Sequence, residues 1–527
     1  MAQTALKRML MSGNEAIGRG AIEAGISMAV SYPGTPSTDI LEYLAKNFSG
    51  PAQWAVNEKV ALEVAVGVSY TGRRVICSMK HVGLNVAADP LMTAAYLGVK
   101  GGLVLVVADD PGAYSSQNEQ DSRFFAAFAK IPCFEPSDAQ EAKEMMLRAF
   151  ELSEKIELPV MLRTLTRLSH ALAPVEIGDI RPENPLSLEK NPAKMLAVPS
   201  NVIRCHKELN RKQAELRKWM EDAGLNRASR TGKKKGIIAC GIAYTYAKEY
   251  GDDYDVLKIA GYPFGERLIE EFVSGLNEVW VLEEGYPFVE EIARKYSSNV
   301  KGKVSGELPA EGELGPDAMA NYVPGWNGNG GSPKTAVTAA APLPVRPPVM
   351  CPGCPHREFY KSLIDAKPAF TAGDIGCYTL GAAPPLSALD TCLCMGASIS
   401  KAAGIASQGV KRVAAVIGDS TFMHTGIPAL ITAVYNKADI LVIIMDNAST
   451  AMTGHQPTPL TGITAKGEEG GKVNLEELCR ASGARSVTTL NPYKVEENTA
   501  IIREKLDAEG VNVIISCSPC ILNVKKK

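Results

Sequence analysis

The chain has 527 residues, 46% hydrophobic and 22% charged, a globular composition long enough for about three or four domains with a sizeable core. Its net charge of −2 gives no electrostatic case for nucleic acid; no apolar run approaches the roughly 18 residues of a membrane span; and Met1 to Met11 lacks the apolar stretch of a signal peptide. The twelve cysteines are therefore expected to be reduced thiols, metal ligands or core residues of a cytoplasmic protein, not disulfides.

Residues 12 to about 175 alternate strand-like and helix-like patterns. Apolar β-rich runs at Ile26–Tyr32, Val75–Met79 and Leu103–Ala108 are separated by helical patterns such as Lys59–Thr71 and Asp89–Val99. Alternation of this kind predicts a parallel sheet with helices on both faces. Residues 176–235 read as a connecting segment, with a polar, basic helix over Asn201–Asp222. A shorter α/β pattern fills 236–310, with strands at Gly236–Ala239, Val256–Ile259 and Glu278–Leu282. Residues 311–348 are rich in Pro, Gly and Ala and read as a linker or long surface loop. A last α/β unit covers 349–527, so that the whole is an α/β chain of several doubly wound parallel-sheet domains.

The last unit holds the sharpest motif. Val413–Ile417 is a continuous apolar run that stops at Gly418-Asp419-Ser420, and after a helical stretch Ile440–Met445 stops at Asp446-Asn447. Asp419 and Asn447, 28 positions apart, then lie at the C-terminal ends of two strands of one βαβ unit, where open parallel sheets place ligands. A carboxylate, an amide oxygen and the Ser449 carbonyl form a donor set for a hard divalent cation. Gly418 permits close backbone approach, and Ser420 with N–H groups of the following helix can meet phosphate oxygens. Either half alone is an ordinary strand-end turn; together they resemble the thiamine-diphosphate signature Gly-Asp-Gly followed after some 25–30 residues by Asn, with Ser420 in place of the third residue.

Thiamine diphosphate requires a glutamate hydrogen-bonded to its aminopyrimidine ring, expected in a separate pyrimidine-binding domain. Glu58, at the opening of the helix that continues through Ala61, Val64, Ala65 and Val68, is the candidate. A favourable charge near a helix N-terminus is the plainer alternative for Glu58 alone. Glu63, further along the helix, is read as structural.

The segments Ser31-Tyr32-Pro33-Gly34-Thr35-Pro36-Ser37-Thr38, Lys80-His81-Val82-Gly83-Leu84-Asn85, Asp109-Asp110-Pro111 with Ser115 to Asp121, Cys351-Pro352-Gly353-Cys354-Pro355-His356 and Thr450 to Gln456 resemble the indolepyruvate-type alpha subunit of the 2-oxoacid:ferredoxin oxidoreductases, over nearly the whole chain. The resemblance implies a thiamine-diphosphate-binding fold. In it, 1–175 binds the pyrimidine, 236–310 is transketolase C-terminal-like and 349–527 binds the diphosphate. Glu58 would activate the cofactor, and Asp419, Asn447 and the Ser449 carbonyl would hold Mg²⁺. Thr35 would hold the 2-oxoacid carboxylate or ketone. His81 and His455 are candidate polar groups around the substrate, with ordinary hydrogen-bonded interior histidines as the equal alternative.

The resemblance also assigns ligands to a four-iron cluster. Related families use a CxxC pair, a Gly-Cys turn and a late Ser-Pro-Cys, and Cys351, Cys354, Cys377 and Cys520 occur in that order. A four-sulfur zinc site and unligated core cysteines are the alternatives. Cys392 and Cys394, spaced too tightly for the usual ligand pattern, are expected in the core; Cys77, Cys133, Cys205, Cys240, Cys479 and Cys517 are expected as core or free thiols. The expected reaction is oxidative decarboxylation of an aryl 2-oxoacid to an acyl-coenzyme A, with electrons leaving through the cluster to ferredoxin and a smaller beta subunit completing a heterotetramer. The family's usual ferredoxin-like domain, with its two further cysteine runs, is not found in this sequence after Cys520. A non-oxidative 2-oxoacid decarboxylase and a non-catalytic thiamine-fold subunit are therefore the alternatives.

Overall fold

The structure, a computed structural model, describes residues 7–249, 253–315, 319, 321–323 and 349–524. It divides into two units, Met1–Pro342 and Leu343–Lys527. In the first, β1 (Arg8–Ser12) pairs antiparallel with β8 (Leu172–Glu176). Between them in sequence run β2 (Met28–Ser31), β3 (Ala52–Trp54), β4 (Val75–Lys80), β5 (Leu103–Asp109), β6 (Cys133–Phe134) and β7 (Val160–Leu165). With β12 (Gly261–Tyr262) these make a seven-stranded sheet of order β12-β6-β7-β5-β4-β2-β3, parallel except at the β12 edge. Every residue of β4, β5 and β7 is buried, which is why Leu103–Ala108 of β5 reads as a continuous apolar run and not as an alternating one.

A second sheet of the same unit has the order β14-β13-β10-β11-β9, from β9 (Arg227–Ser229), β10 (Lys235–Cys240), β11 (Asp255–Ile259), β13 (Glu278–Leu282) and β14 (Val300–Lys301). One apolar core runs through both sheets, joining Val30, Leu105 and Met161 to Ile238, Leu257 and Val281. The helix Pro199–Asp222 lays Cys205, Leu209, Leu216 and Met220 inward at helical spacing, and Trp219 stacks on Phe134 at 5.8 Å between ring centres. The stretch expected as a linker is packed where it begins. Leu314, Met319 and Val323 are buried in the core that also holds Trp280 and Leu165, because Leu, Met and Val recur there among the polar residues; residues 324–348 lie outside the described residues.

The second unit is a five-stranded, fully parallel sheet of order β15-β16-β17-β19-β18, from β15 (Phe370–Ala372), β16 (Val413–Gly418), β17 (Ile440–Asp446), β18 (Ser486–Leu490) and β19 (Val511–Cys517). Separate apolar clusters cover its two faces, one around Ile417, Val442 and Leu430, the other around Val416, Ile443 and Tyr360. The chain thus has the α/β, several-sheet architecture expected of it. Among the described residues no helix is long and apolar enough to cross a membrane.

Candidate active site

In the second unit β16 and β17 are neighbours with Gly418 opposite Met445, so Asp419 and Asn447 leave the same edge of the sheet side by side. Ala448 takes a left-handed backbone conformation, φ 56°, and the sharp turn it makes returns Ser449 towards Asp419. Asp419 is 3% exposed. Its carboxylate accepts from the Ser420 N–H at 2.8 Å and the Ser449 N–H at 3.3 Å. Burial, then the charge of Asp446, push this carboxyl up to about 8.

Asn447 is held from behind. Its Nδ2 lies 3.0 Å from Nε2 of His356, and burial pulls His356 down to about 4, so the ring is neutral near pH 7 and accepts the amide proton. That contact fixes the amide with Oδ1 buried and without a hydrogen-bond partner. A desolvated carboxylate beside an orphaned amide oxygen is the environment a hard cation relieves. Among the described residues no cluster of three His, Cys, Asp or Glu side chains makes a metal site by itself; the donors on offer are one carboxylate, one amide and backbone carbonyls. Ser420 Oγ lies 2.8 Å from Thr450 Oγ1, and Ser449 Oγ lies 3.4 Å from Nδ1 of His455. Gly418 has a neighbour the sequence did not reveal: a Cβ there would come within 2.5 Å of the Tyr378 ring.

The same sheet edge gathers the four selected cysteines. Cys351 and Cys354 sit on a turn closed by the Cys354 N–H donating to the Cys351 carbonyl at 3.1 Å. Gly353 in that turn, φ 74°, comes so close to Ile521 that a Cβ would meet its Cδ1 at 2.9 Å. The N–H of Cys520 donates to the Asn447 carbonyl at 3.1 Å, which ties this cysteine to the Asn447 loop. All four are half-buried. Burial pushes the Cys377 thiol up to about 11, and the charges of Cys354, Cys520 and Cys351 act in the same direction. The other three thiols thus lie near enough to act on Cys377 through space, although among the described residues the four do not close into a metal-ligating group of three or more. Cys392 and Cys394, expected in the core, are exposed: the loop that carries them leaves the sheet after Thr391, which bridges Ala372. Cys517 is exposed too, whereas Cys77, Cys133, Cys205, Cys240 and Cys479 are buried.

Thr35, Glu58 and His81 belong to the first unit. Asn57 caps the helix Glu58–Tyr70, its side chain accepting from the Val60 N–H at 2.8 Å. Glu58, the first helical residue, is 4% exposed. Its carboxylate lies against Gly83, where a Cβ would come within 2.3 Å of Oε1; the helix His81–Val86 admits Glu58 only because that position has no side chain. Glu63 pairs with Lys59 on the exposed face. His81, 1% exposed, places Nε2 3.1 Å from the Asn118 carbonyl and leaves Nδ1 buried without a partner. Thr35 is half-buried, and its carbonyl accepts from Ser115 Oγ at 3.3 Å. The loop bearing Ser115 and Asn118 is anchored by Asp110, whose carboxylate accepts from Ser115 N–H at 2.8 Å, Ser116 Oγ at 2.5 Å and Thr166 Oγ1 at 2.7 Å. Burial opposes the charge on Asp110, but these bonds and the charge of Lys80 hold its carboxyl below the usual range.

Two family models match. "Pyruvate flavodoxin/ferredoxin oxidoreductase, thiamine diP-bdg" covers residues 19–225, and "Thiamine pyrophosphate enzyme, C-terminal TPP binding domain" covers 374–516. The indolepyruvate oxidoreductase subunit IorA of Archaeoglobus fulgidus is 43% identical over 98% of this chain and 87% of its own length. That of Methanothermobacter thermautotrophicus is 41% identical over 98% and 87%, and that of Pyrococcus horikoshii 39% identical over 98% and 86%.

Proposed function

Because the chain belongs to the family of the indolepyruvate oxidoreductase subunit IorA, we propose that it is the thiamine-diphosphate-dependent catalytic subunit of a 2-oxoacid:ferredoxin oxidoreductase acting on an aryl 2-oxoacid such as indolepyruvate. The 2-oxoacid loses CO₂, its acyl carbon is oxidised by two electrons, and coenzyme A takes the acyl group. The single observation that carries this reading is the pair Asp419 and Asn447: a desolvated carboxylate beside a buried amide oxygen with no partner, at adjacent strand ends, within residues matched by a thiamine-binding family model.

When bound, thiamine diphosphate supplies the carbanion stabilisation that decarboxylation needs. Asp419, Asn447 and the Ser449 carbonyl would hold Mg²⁺ for the diphosphate, and Ser420 with the backbone at Gly418 would bind phosphate oxygens. Glu58, packed against Gly83, is the group that would hold or exchange a proton with the aminopyrimidine. Thr35 offers a hydroxyl to the substrate carboxylate or ketone, and His81 and His455 are polar groups around the substrate. Cys351, Cys354, Cys377 and Cys520 would be the ligands of a [4Fe-4S] cluster, which would supply single-electron transfer towards ferredoxin. Residues 1–175 form the pyrimidine-binding domain, 236–310 the small α/β domain and 349–527 the diphosphate-binding domain. A smaller beta subunit completes the enzyme, as a heterotetramer. The cytoplasm is the compartment that keeps twelve unpaired cysteines reduced.

The test is Glu58→Gln in the chain purified anaerobically with its partner subunit. Turnover is expected to be lost, while Mg²⁺ and thiamine diphosphate still raise the melting temperature. Unchanged turnover would sink the catalytic reading. Aldehyde release without coenzyme A or any electron acceptor would replace it with a non-oxidative decarboxylase.

A further inference from the structure

Lys80 is the last residue of β4 and is 7% exposed. Buried lysines are ordinarily matched with a carboxylate, because an ammonium taken out of water without a counter-ion is costly. Lys80 has no such match: among the described residues it takes part in no ion pair. Its Nζ donates to the Ser115 carbonyl at 2.6 Å and to Ser115 Oγ at 3.3 Å, both neutral acceptors. The nearest carboxylate by influence, Asp110, acts on it through space while its own oxygens accept from Ser115, Ser116 and Thr166. Burial accordingly pulls the Lys80 ammonium down to about 8 despite that charge.

The position of this cation, which no carboxylate contacts directly, is informative. A Cβ on Gly34 would lie 3.0 Å from the Lys80 Cβ, so the Gly34-Thr35 turn lies directly on the lysine stem. The Ser115 hydroxyl that receives Nζ also donates to the Thr35 carbonyl. The next residue is His81, with its buried unpartnered Nδ1, and three residues on is Gly83, against which Glu58 packs. The C-terminal end of β4 thus sets the Lys80 ammonium beside the Gly34-Thr35 turn and the His81 ring, with Glu58 packed on the helix that follows.

We propose that Lys80 is the counter-ion for the carboxylate of the 2-oxoacid, an anion subsite completed only when substrate binds. This rests on the reading of function given above and adds to it the group that recognises the acid. An ion pair formed in the bound substrate is made before carbon dioxide leaves, so it belongs to binding more than to the chemical step. Its loss raises KM more than it lowers kcat.

The experiment uses the chain purified anaerobically with its partner subunit, as wild type, Lys80→Gln, Lys80→Met and Lys80→Arg. Cofactor loading is read by the melting-temperature rise with Mg²⁺ and thiamine diphosphate. KM and kcat are measured with phenylpyruvate. Binding of 3-phenylpropanoate and of its uncharged methyl ester is compared by calorimetry. Lys80→Gln and Lys80→Met are expected to fold and load cofactor, to raise KM by roughly 30-fold or more, and to lose affinity for the acid while keeping that for the ester. Lys80→Arg should recover part of the preference. Met has no charge to bury, so a fold that tolerates it shows that the lysine is not there for stability. Should either neutral variant keep the wild-type preference for acid over ester, the assignment is overturned; a wild-type complex that binds no aryl carboxylate overturns it equally. A wild-type complex that binds the acid through Lys80 but decarboxylates no 2-oxoacid defeats the proposed function and leaves the anion subsite standing.

Discussion

At the scale of single residues the candidate site depends on positions where a side chain is missing as much as on those where one is present. Gly83 carries no chemistry, yet Glu58 occupies the space its Cβ would fill. Gly83→Ala is expected to displace the glutamate, at a cost to stability of about 1–3 kcal/mol and a loss of turnover on the order of 100-fold. Denaturant titration and steady-state rates measure the two effects separately. An alanine variant with wild-type turnover would show that the position of Glu58 is not critical. His356 acts in a comparable way on Asn447, fixing the amide so that its oxygen stays free. Sequence reasoning placed Asp419 and Asn447 from a strand-end pattern. It gave His356 no role, although the residue stands in a segment that carried the resemblance, because nothing local in Cys354-Pro355-His356 says which loop the imidazole will face. Lys80 was passed over for the same reason: that it is buried and unpaired is a fact about its surroundings.

At the scale of elements, the junction between β13 and the large sheet of the first unit concentrates charge. Arg123, Arg163 and Lys303 are buried with Asp109, Asp121, Glu135, Glu283 and Glu284. Arg163 bonds Asp109 at 2.6 Å and Glu135 at 2.5 Å, and Arg123 bonds Glu283 at 2.7 Å. Carboxylates outnumber cations here, and Glu284, just past β13, is left with the Leu314 N–H at 2.9 Å as its hydrogen-bond donor. Burial pushes its carboxyl up to about 7. A carboxyl raised in the folded state binds its proton more tightly there than in the unfolded chain. Its contribution to stability is therefore full below the unfolded value near 4.5 and is lost as pH rises towards 7. Between pH 4.5 and 7.5 the loss from this group is expected to be on the order of 3 kcal/mol. Glu284→Gln, whose amide oxygen can still accept from Leu314, should flatten that part of the stability–pH curve in urea unfolding; an unchanged slope would assign the dependence to another group. The elements themselves were largely legible. β4, β5, β16 and β17 fall on the expected apolar runs, because fully buried parallel strands write themselves as continuous Val, Ile and Leu. Short strands such as β6 and β12, two residues each, carry no such pattern and are made by pairing across the sheet.

At the scale of the whole molecule, each unit brings its own set of groups: Thr35, Glu58, Lys80 and His81 in the first, the Asp419 and Asn447 strand ends and the cysteines in the second. Within the second unit the Asn447 loop is shared, since Cys520 bonds its backbone. Cys520→Ser is expected to lower the iron bound after anaerobic purification while leaving the thermal shift with Mg²⁺ and thiamine diphosphate largely intact. Cys392→Ser should leave the iron content unchanged, because Cys392 is exposed and outside the group of four. Equal iron loss in both variants would undo that division of the cysteines. The sequence by itself determined the class of sheet, the strand ends that carry Asp419 and Asn447, and the family, because strand burial, turn chemistry and long motif strings are written locally. Which cysteines are exposed and which buried, which glycine admits Glu58, how His356 orients Asn447 and why no carboxylate touches Lys80 were decided only in the tertiary structure. Each of these depends on a contact between residues remote in the chain, and on the loss of water around it, and neither is encoded in local sequence. The pair that the strand ends announced thus became a specific environment: a desolvated acid beside a buried amide oxygen with no hydrogen-bond partner.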